Sequence, residues 1–252
     1  MPEIIYKEAL KLGQKEKRQL ISQGNYPYLA VMEEMMSEER LNSGTRLGVI
    51  EVPLEFVVGT KTKSRTNAFA ANFMPILEPK SEFAFKWSAL ADAQINEGIR
   101  DPIKVYEYMN RFYVEEGNKR VSVLKFFGAV SIPAQVTRIL PPQGEEQELK
   151  LYYEFLDFYK CTKVNYIEFS TVGSYLKLQK LLGKSSEELW SEEDISSFRA
   201  NYYYFKQIFE SLGGINLQCT IGDAFLSYIN IFFYMFSCNL VIYCDIFCST
   251  SM

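Results

Sequence analysis

Histidine is absent from all 252 residues. That absence excludes Ser-His-Asp and Cys-His catalysis, HExxH zinc sites and imidazole acid/base chemistry. Any proton transfer falls to carboxylates, lysine, tyrosine or cysteine. The five cysteines (Cys161, Cys219, Cys238, Cys244 and Cys248) form no CxxC pair, so neither a zinc ribbon nor a thioredoxin-type motif is supported. A basic balance is missing too. The net charge of -4 argues against wholesale coating of nucleic acid and leaves room only for a local basic site. The N-terminus MPEIIYKEALKLGQKEKRQ is charged from Glu3 onward and lacks the apolar core of a signal peptide. A reducing cytoplasm with free thiols is the expected setting. No internal repeat with a period of about 20 to 50 residues is visible.

What is present is a chain with apolar material for a real core: 48% hydrophobic and 15% aromatic, enough for one large domain or two modest ones. The pattern predicts an N-terminal helical region over residues 1–46, with helices at Glu3–Ser22 and about Tyr28–Arg40 separated by Gly24-Asn25-Tyr26-Pro27. Lys7, Lys11, Lys15, Lys17 and Arg18 make the first helix basic; a solvated face with the apolar stripe packed inward outweighs a membrane or nucleic-acid contact. A mixed α/β region follows over residues 47–140. Leu47–Val58 reads as a strand, and Pro53 marks it as an edge strand or one with a bulge. Ser81–Asn96 reads as an amphipathic helix ended at Gly98. Ile103–Glu107 and Arg111–Glu115 read as a hairpin, Asn118–Phe127 as a helix, and Ile132–Ile139 as a further strand. Pro141-Pro142-Gln143-Gly144 is the expected boundary before a mainly helical, acidic region over residues 145–252. From about residue 224 its tail is atypical: Ala224–Cys244 carries no charge and is long enough to span a bilayer, but Ser227, Asn230, Ser237 and Asn239 weaken that reading. A buried or ill-ordered tail ranks first, a reading frame altered near Phe232 second, and a membrane anchor third; no membrane partner is favoured.

Two segments carry chemistry. Gly59–Thr66 holds three cations, four hydroxyls and no acid, a composition suited to phosphate oxygens as well as to a solvated loop. Glu116-Gly117-Asn118-Lys119-Arg120 joins a strand to a helix. A glycine, two cations and a helix N-terminus at one point favour an anion, and an ordinary strand-to-helix turn with a basic cap is the plainer alternative.

The stretch Gly98-Ile99-Arg100-Asp101-Pro102-Ile103-Lys104-Val105, then Val114-Glu115-Glu116-Gly117-Asn118-Lys119-Arg120, then Gly128 and Ile132-Pro133, resembles the ParB/sulfiredoxin-like superfamily in order and spacing over about forty residues. The resemblance extends more loosely back to Leu47. It implies an α+β fold: a small mixed-sheet domain with N-terminal helices and a C-terminal, mainly helical region. It also implies a nucleotide site, since members hold the phosphates of CTP or ATP at this turn. Carried over, Gly117, Asn118, Lys119 and Arg120 become phosphate ligands. Thr60, Lys61, Thr62 and Arg65 of the first basic loop, with Arg100, are expected beside them. Glu116, with Glu115 next to it, is the expected Mg²⁺ ligand or general base. Sulfiredoxins place a catalytic cysteine in this turn where Asn118 or Lys119 stands here, and kinase-like relatives carry histidines there, so neither chemistry follows.

The expected function is therefore that of a nucleotide- or phosphate-ligand-binding ParB-like protein. It would act as a nucleotide-dependent regulator or NTP hydrolase, its cofactor Mg²⁺ with CTP or ATP. Whether it is an enzyme stays open. Two alternatives accompany this reading: a DNA-associated, partition- or transcription-like protein, and a non-enzymatic interaction module presenting the aromatic helices Tyr152–Tyr159 and Tyr202–Phe209.

Overall fold

The computed structural model describes the backbone of residues 2–231 and, apart from positions 2, 3 and 65, their side chains. The readings made for the tail beyond Ile231, and for the Arg65 side chain, lie outside the described residues. The chain divides into two compact units, one over Met1–Pro142 and one beginning at Gln143.

The first unit is built on a six-stranded mixed sheet in the order β1-β3-β5-β4-β6-β2. The strands are β1 (Ala30–Val31), β2 (Thr45–Pro53), β3 (Val57–Thr60), β4 (Ile103–Tyr108), β5 (Arg111–Glu116) and β6 (Ser131–Arg138). The pairs β1/β3, β3/β5 and β4/β6 are parallel; β4/β5 and β2/β6 are antiparallel. One face packs Val57, Ile103, Val105, Phe112, Val114, Ile132, Ala134 and Val136 against Val121 and Leu124 of helix α4 (Asn118–Phe126) and against Leu29, Phe69 and Phe73. Those sheet residues alternate along their strands, as a half-covered sheet requires. On the other side Tyr113 and Ile139 pack with Met32 and Leu41.

Helix α1 (Pro2–Ser22) belongs to this unit rather than forming a detached arm. Its Tyr6 is buried against Trp87 of helix α3 (Glu82–Asn96) and donates its hydroxyl to the Leu77 carbonyl at 2.7 Å. Trp87 in turn donates its indole N–H to Ser122 of α4 at 2.8 Å.

Two elements differ from expectation. Tyr28–Arg40 is not one helix: it holds β1, a single 3-10 turn at Met32–Glu34, and the short α2 (Glu38–Asn42) capped by Ser37. Leu29 packs in the cluster on one side of the sheet and Met32 in the other, so the chain must pass the sheet edge extended. Gly59 opens room for that passage, because a Cβ there would sit 2.3 Å from the Ala30 carbonyl oxygen. Leu47–Val58 is likewise not one strand. It breaks at Leu54–Phe56, where the Leu54 N–H donates to Val130, and its halves become β2 and β3, well apart in the sheet. β2 is an edge strand, as Pro53 requires.

The second unit contains α5 (Gln147–Thr162), α6 (Ser174–Leu181), α7 (Glu192–Ser211) and a helix over residues 221–231. Its interior is aromatic: Tyr152, Phe155, Phe158, Tyr175, Trp190, Phe198, Tyr202 and Phe225 are all buried. The aromatic runs of α5 and α7 thus supply core first. Tyr204 is the member of the Tyr202–Phe205 run that stands well exposed. Ser191 and Asp194 form a complete capping box at the start of α7.

Candidate functional site

The neighbouring parallel strands β3 and β5 end side by side, with Thr60 opposite Val114. Each then opens into one of the two basic segments. A short chain of hydrogen bonds ties the ends together. The wholly buried Thr60 donates its hydroxyl to the Val114 carbonyl at 3.0 Å, and Asn118 donates its amide N–H to the Thr60 hydroxyl oxygen at 3.4 Å. The Lys61 backbone N–H reaches the same Val114 carbonyl at 2.9 Å. The loop after β3 and the turn after β5 are therefore joined at their roots, off the carboxyl ends of parallel strands, where open α/β sheets place ligands.

Helix α4 starts at this junction. Gly117, its N-cap, has φ 113° and ψ 16°. A Cβ on Gly117 would lie 2.4 Å from Ile103 Cγ2, so both conformation and space demand glycine. Without a side chain, Gly117 cannot cap the helix, and no side-chain cap bond is made. Ser81, Ser191 and Ser37 do accept such bonds at the heads of α3, α7 and α2. The first-turn N–H groups of a helix have no intrahelical acceptor, and the dipole adds partial positive charge there. At α4 that potential stays directed at whatever lies beyond Gly117.

The cations around the junction are largely committed. The Arg120 guanidinium donates to the carbonyls of Asp101 and Pro102 at 2.8 and 2.9 Å and lies 4.0 Å from Glu116. It ties the head of α4 to the loop before β4. Lys119 lies over the Phe83 ring at 4.9 Å. Lys61 sits 2.8 Å from Glu115 and 3.3 Å from the Tyr106 hydroxyl. The bond to Glu115 is the main reason its pKa rises above the ordinary lysine value, with Tyr106 adding to it against partial burial. Lys63 pairs with Glu34 at 2.8 Å, and Thr62 shares a hydrogen bond with Ser64 at 3.0 Å. Arg100 is exposed in the loop between α3 and β4.

The two adjacent carboxylates part company. Glu115 goes to Lys61, whereas Glu116 meets Lys104 at 2.7 Å. The Lys104 bond, followed by the charges of Lys104 and Arg120, holds Glu116 below the usual carboxylate range. The junction thus brings together Thr60 with Asn118, Arg120 with Gly117 and Glu116, and Lys61 with Glu115. Among the described residues, no group of three or more His, Cys, Asp or Glu side chains could hold a metal ion. No described helix is long and apolar enough to cross a membrane.

Sequence reasoning passed over a feature of the second unit. A cavity of about 710 Å³ lies among Leu181, Trp190, Phe198, Phe205, Phe225 and Tyr228. Its residues are spread over α6, Trp190 just before α7, α7 itself and the helix at 221–231, so no single segment of the sequence announces it.

No protein-family model matches the chain, and no curated protein matches it. Among solved structures, sulfiredoxin from Arabidopsis thaliana is similar at 21% identity, over 36% of this chain and 84% of that one, with a TM-score of 0.26. At that score the likeness carries no argument about chemistry.

Proposed function

We propose that the first unit binds a phosphorylated ligand of the nucleotide class where β3 and β5 run into their loops and into α4. The observation that carries this reading is the Thr60–Asn118 hydrogen bond. It sets the hydroxyl- and lysine-rich loop beside a helix N-terminus that no side chain caps. Backbone N–H groups and the dipole of α4 supply the anion preference, and Lys119 and Arg120 in the first turn add charge. The resemblance of Gly98–Pro133 to ParB/sulfiredoxin-like proteins, whose members hold nucleotide phosphates at this turn, supports the same placement. Thr62, Arg65 and Arg100 belong to the outer part of this proposed site. Mg²⁺ would neutralise phosphate charge on arriving with a nucleotide. Glu116 is the carboxylate that would meet it, because its pair with Lys104 is solvent-exposed on both sides and costs little to open. The reading is one of binding, and no reaction is assigned; Glu115 and Glu116 remain the groups to test if hydrolysis is found. Cys161 and Cys219 are free thiols, in keeping with the reducing cytoplasm we propose as its setting.

The test is calorimetry of the full chain with CTP, ATP and GTP plus Mg²⁺, on the wild type and on Lys119→Glu. An acid in the first turn of α4 suits the helix dipole, so the variant should fold as well as the parent. It should nevertheless bind the nucleotide at least about tenfold more weakly, a difference of about 1.4 kcal/mol. Equal affinities for the two proteins would reject the site.

A further inference from the structure

The cavity of the second unit has a polar end and an apolar end. Along α7 the residues that line it are Asp194, Ser197 and Asn201 toward the N-terminus, and Phe205 and Ile208 toward the C-terminus. From Asp194 to Ile208 the helix rises about 21 Å, at about 1.5 Å per residue. The volume of about 710 Å³ falls within the roughly 300–1,000 Å³ of small-molecule sites. Ile208 and Tyr228 belong to the apolar end and stand 41% and 45% exposed. Large apolar side chains exposed together at one concavity mark a place where something apolar binds, whereas scattered ones are ordinary.

The charges at the polar end are already engaged. Lys184 lies 2.9 Å from Glu188 and 3.0 Å from Asp194, and Asp194 also closes the capping box with Ser191. One cation against two carboxylates leaves a negative balance that disfavours an anionic group. The groups left to meet a ligand there are neutral. Asn201 donates its amide N–H to the Ser197 carbonyl at 2.9 Å, and because a backbone carbonyl only accepts, its Oδ1 is the atom left to accept. The Ser197 hydroxyl can donate or accept.

We infer that this cavity binds an elongated, uncharged amphiphile: an alkyl or acyl chain lies against Phe205, Ile208 and Tyr228, and a hydroxyl or amide head meets Ser197 and Asn201. The inference concerns the second unit alone and does not depend on the phosphate reading of the first.

The full chain is titrated calorimetrically with hexan-1-ol, octan-1-ol and decan-1-ol, and with octanoate and octyltrimethylammonium. Affinity for the alcohols should rise about fifteenfold with each added pair of CH₂ groups, the factor expected when they leave water for an apolar wall. Octanoate should bind at least about tenfold more weakly than octan-1-ol, and octyltrimethylammonium no more tightly than the alcohol. Ile208→Glu puts a charge at the apolar end, on a position exposed enough to tolerate it, and should weaken decan-1-ol at least about tenfold. Phe85→Glu, at a 66% exposed site in the first unit, should leave that affinity unchanged. The alcohol series needs only wild type, so a folding defect in Ile208→Glu would not shield the inference. Failure of every alcohol to bind overturns it, whether the cavity is filled by the chain's own residues or by a second copy. Affinity that does not climb with chain length overturns the apolar end. Octanoate or octyltrimethylammonium binding more tightly than octan-1-ol overturns the uncharged head. Equal losses in Ile208→Glu and Phe85→Glu reveal unspecific adsorption and overturn the site.

Discussion

Replacing Gly117 by alanine separates two costs that the structure imposes at the head of α4. The first is conformational. At φ 113° the backbone lies where an L-residue's Cβ crowds its own chain, a cost of about 1–2 kcal/mol. The second is steric. The new Cβ would fall 2.4 Å from Ile103 Cγ2 and 2.9 Å from Ile103 Cβ, whereas carbons rest about 3.5–4.0 Å apart. Ile103 is wholly buried in β4 and packs within the main core cluster, so it cannot retreat freely. Overpacking of this kind costs about 1–3 kcal/mol. Together the expected loss is about 2–5 kcal/mol, a large fraction of the roughly 5–15 kcal/mol that holds a domain folded. The chain has two tryptophans, one in each unit, so a Trp190→Phe background leaves Trp87 as the sole reporter. Trp87 bonds Ser122 and packs edge-on against Phe126, both in α4, and so senses the element that is strained. Urea unfolding followed by Trp87 fluorescence would measure the loss. Combining Gly117→Ala with Ile103→Ala removes the clashing methyl and should recover about 1 kcal/mol or more as an interaction energy. A loss below about 1 kcal/mol for Gly117→Ala, or an interaction energy near zero, would refute the strain and the clash respectively.

Two further perturbations probe the same unit. Glu107 in β4 is wholly buried; it receives the Arg138 guanidinium and the Asn110 N–H, the latter at 2.8 Å. Glu107→Gln should lower stability by about 3–5 kcal/mol by removing the buried carboxylate charge that faces the Arg138 guanidinium, and Glu107→Leu/Arg138→Met should lower it less. A Glu107→Gln urea midpoint indistinguishable from wild type would sink this reading. Lys125 in α4 donates to the Val57 carbonyl at 2.9 Å and lies over the Phe73 ring, and burial pushes its pKa down from 10.5 to about 8. Between those values the unfolded chain binds more protons than the folded one, so stability rises with pH across that window. The group's contribution is complete above 10.5 and is lost as pH falls through about 8. Lys125→Met should flatten that rise in Trp87-detected midpoints, and an undiminished rise in the variant would show that the ammonium is not desolvated.

Elements with mutually reinforcing local signals are legible in the sequence. Ser81 caps α3 by accepting from Ala84, and Gly98 closes the helix through Ala93. The alternating runs of β4 and β5 flank a two-residue turn, Met109-Asn110, with positive φ at both positions, the geometry a tight hairpin needs. Glu192, Glu193 and Asp194 load the first turn of α7 with the negative charge that the helix dipole favours. Tyr28–Arg40 fails because nothing local reveals that Ala30 and Val31 will pair with Gly59 and Thr60. Leu47–Val58 fails for a related reason. An unbroken β-branched run looks like one strand, and only the distant Val130 carbonyl, which receives the Leu54 N–H, shows where it divides.

At the junction of β3, β5 and α4 the same division between local and distant information decides what could be foreseen. Residue types and the glycine-led helix start are local properties, and they mark the place. The state of each charge is not local. Lys61, Lys63, Lys104 and Arg120 all find partners far along the chain or across strands: Glu115, Glu34, Glu116 and the carbonyls of Asp101 and Pro102. Acids outnumber bases 31 to 27 in this chain, so a basic loop folded against its neighbours meets carboxylates readily. A cluster of lysines and arginines in such a sequence therefore predicts ion pairs at least as well as it predicts a phosphate site. Ion pairs among neighbours do not cancel a helix N-terminus that no side chain caps, because its N–H groups are fixed by the backbone and cannot turn away. That asymmetry moves the weight of the proposed site from the ammonium groups, where the residue types put it, to Gly117 and the backbone N–H groups at the head of α4.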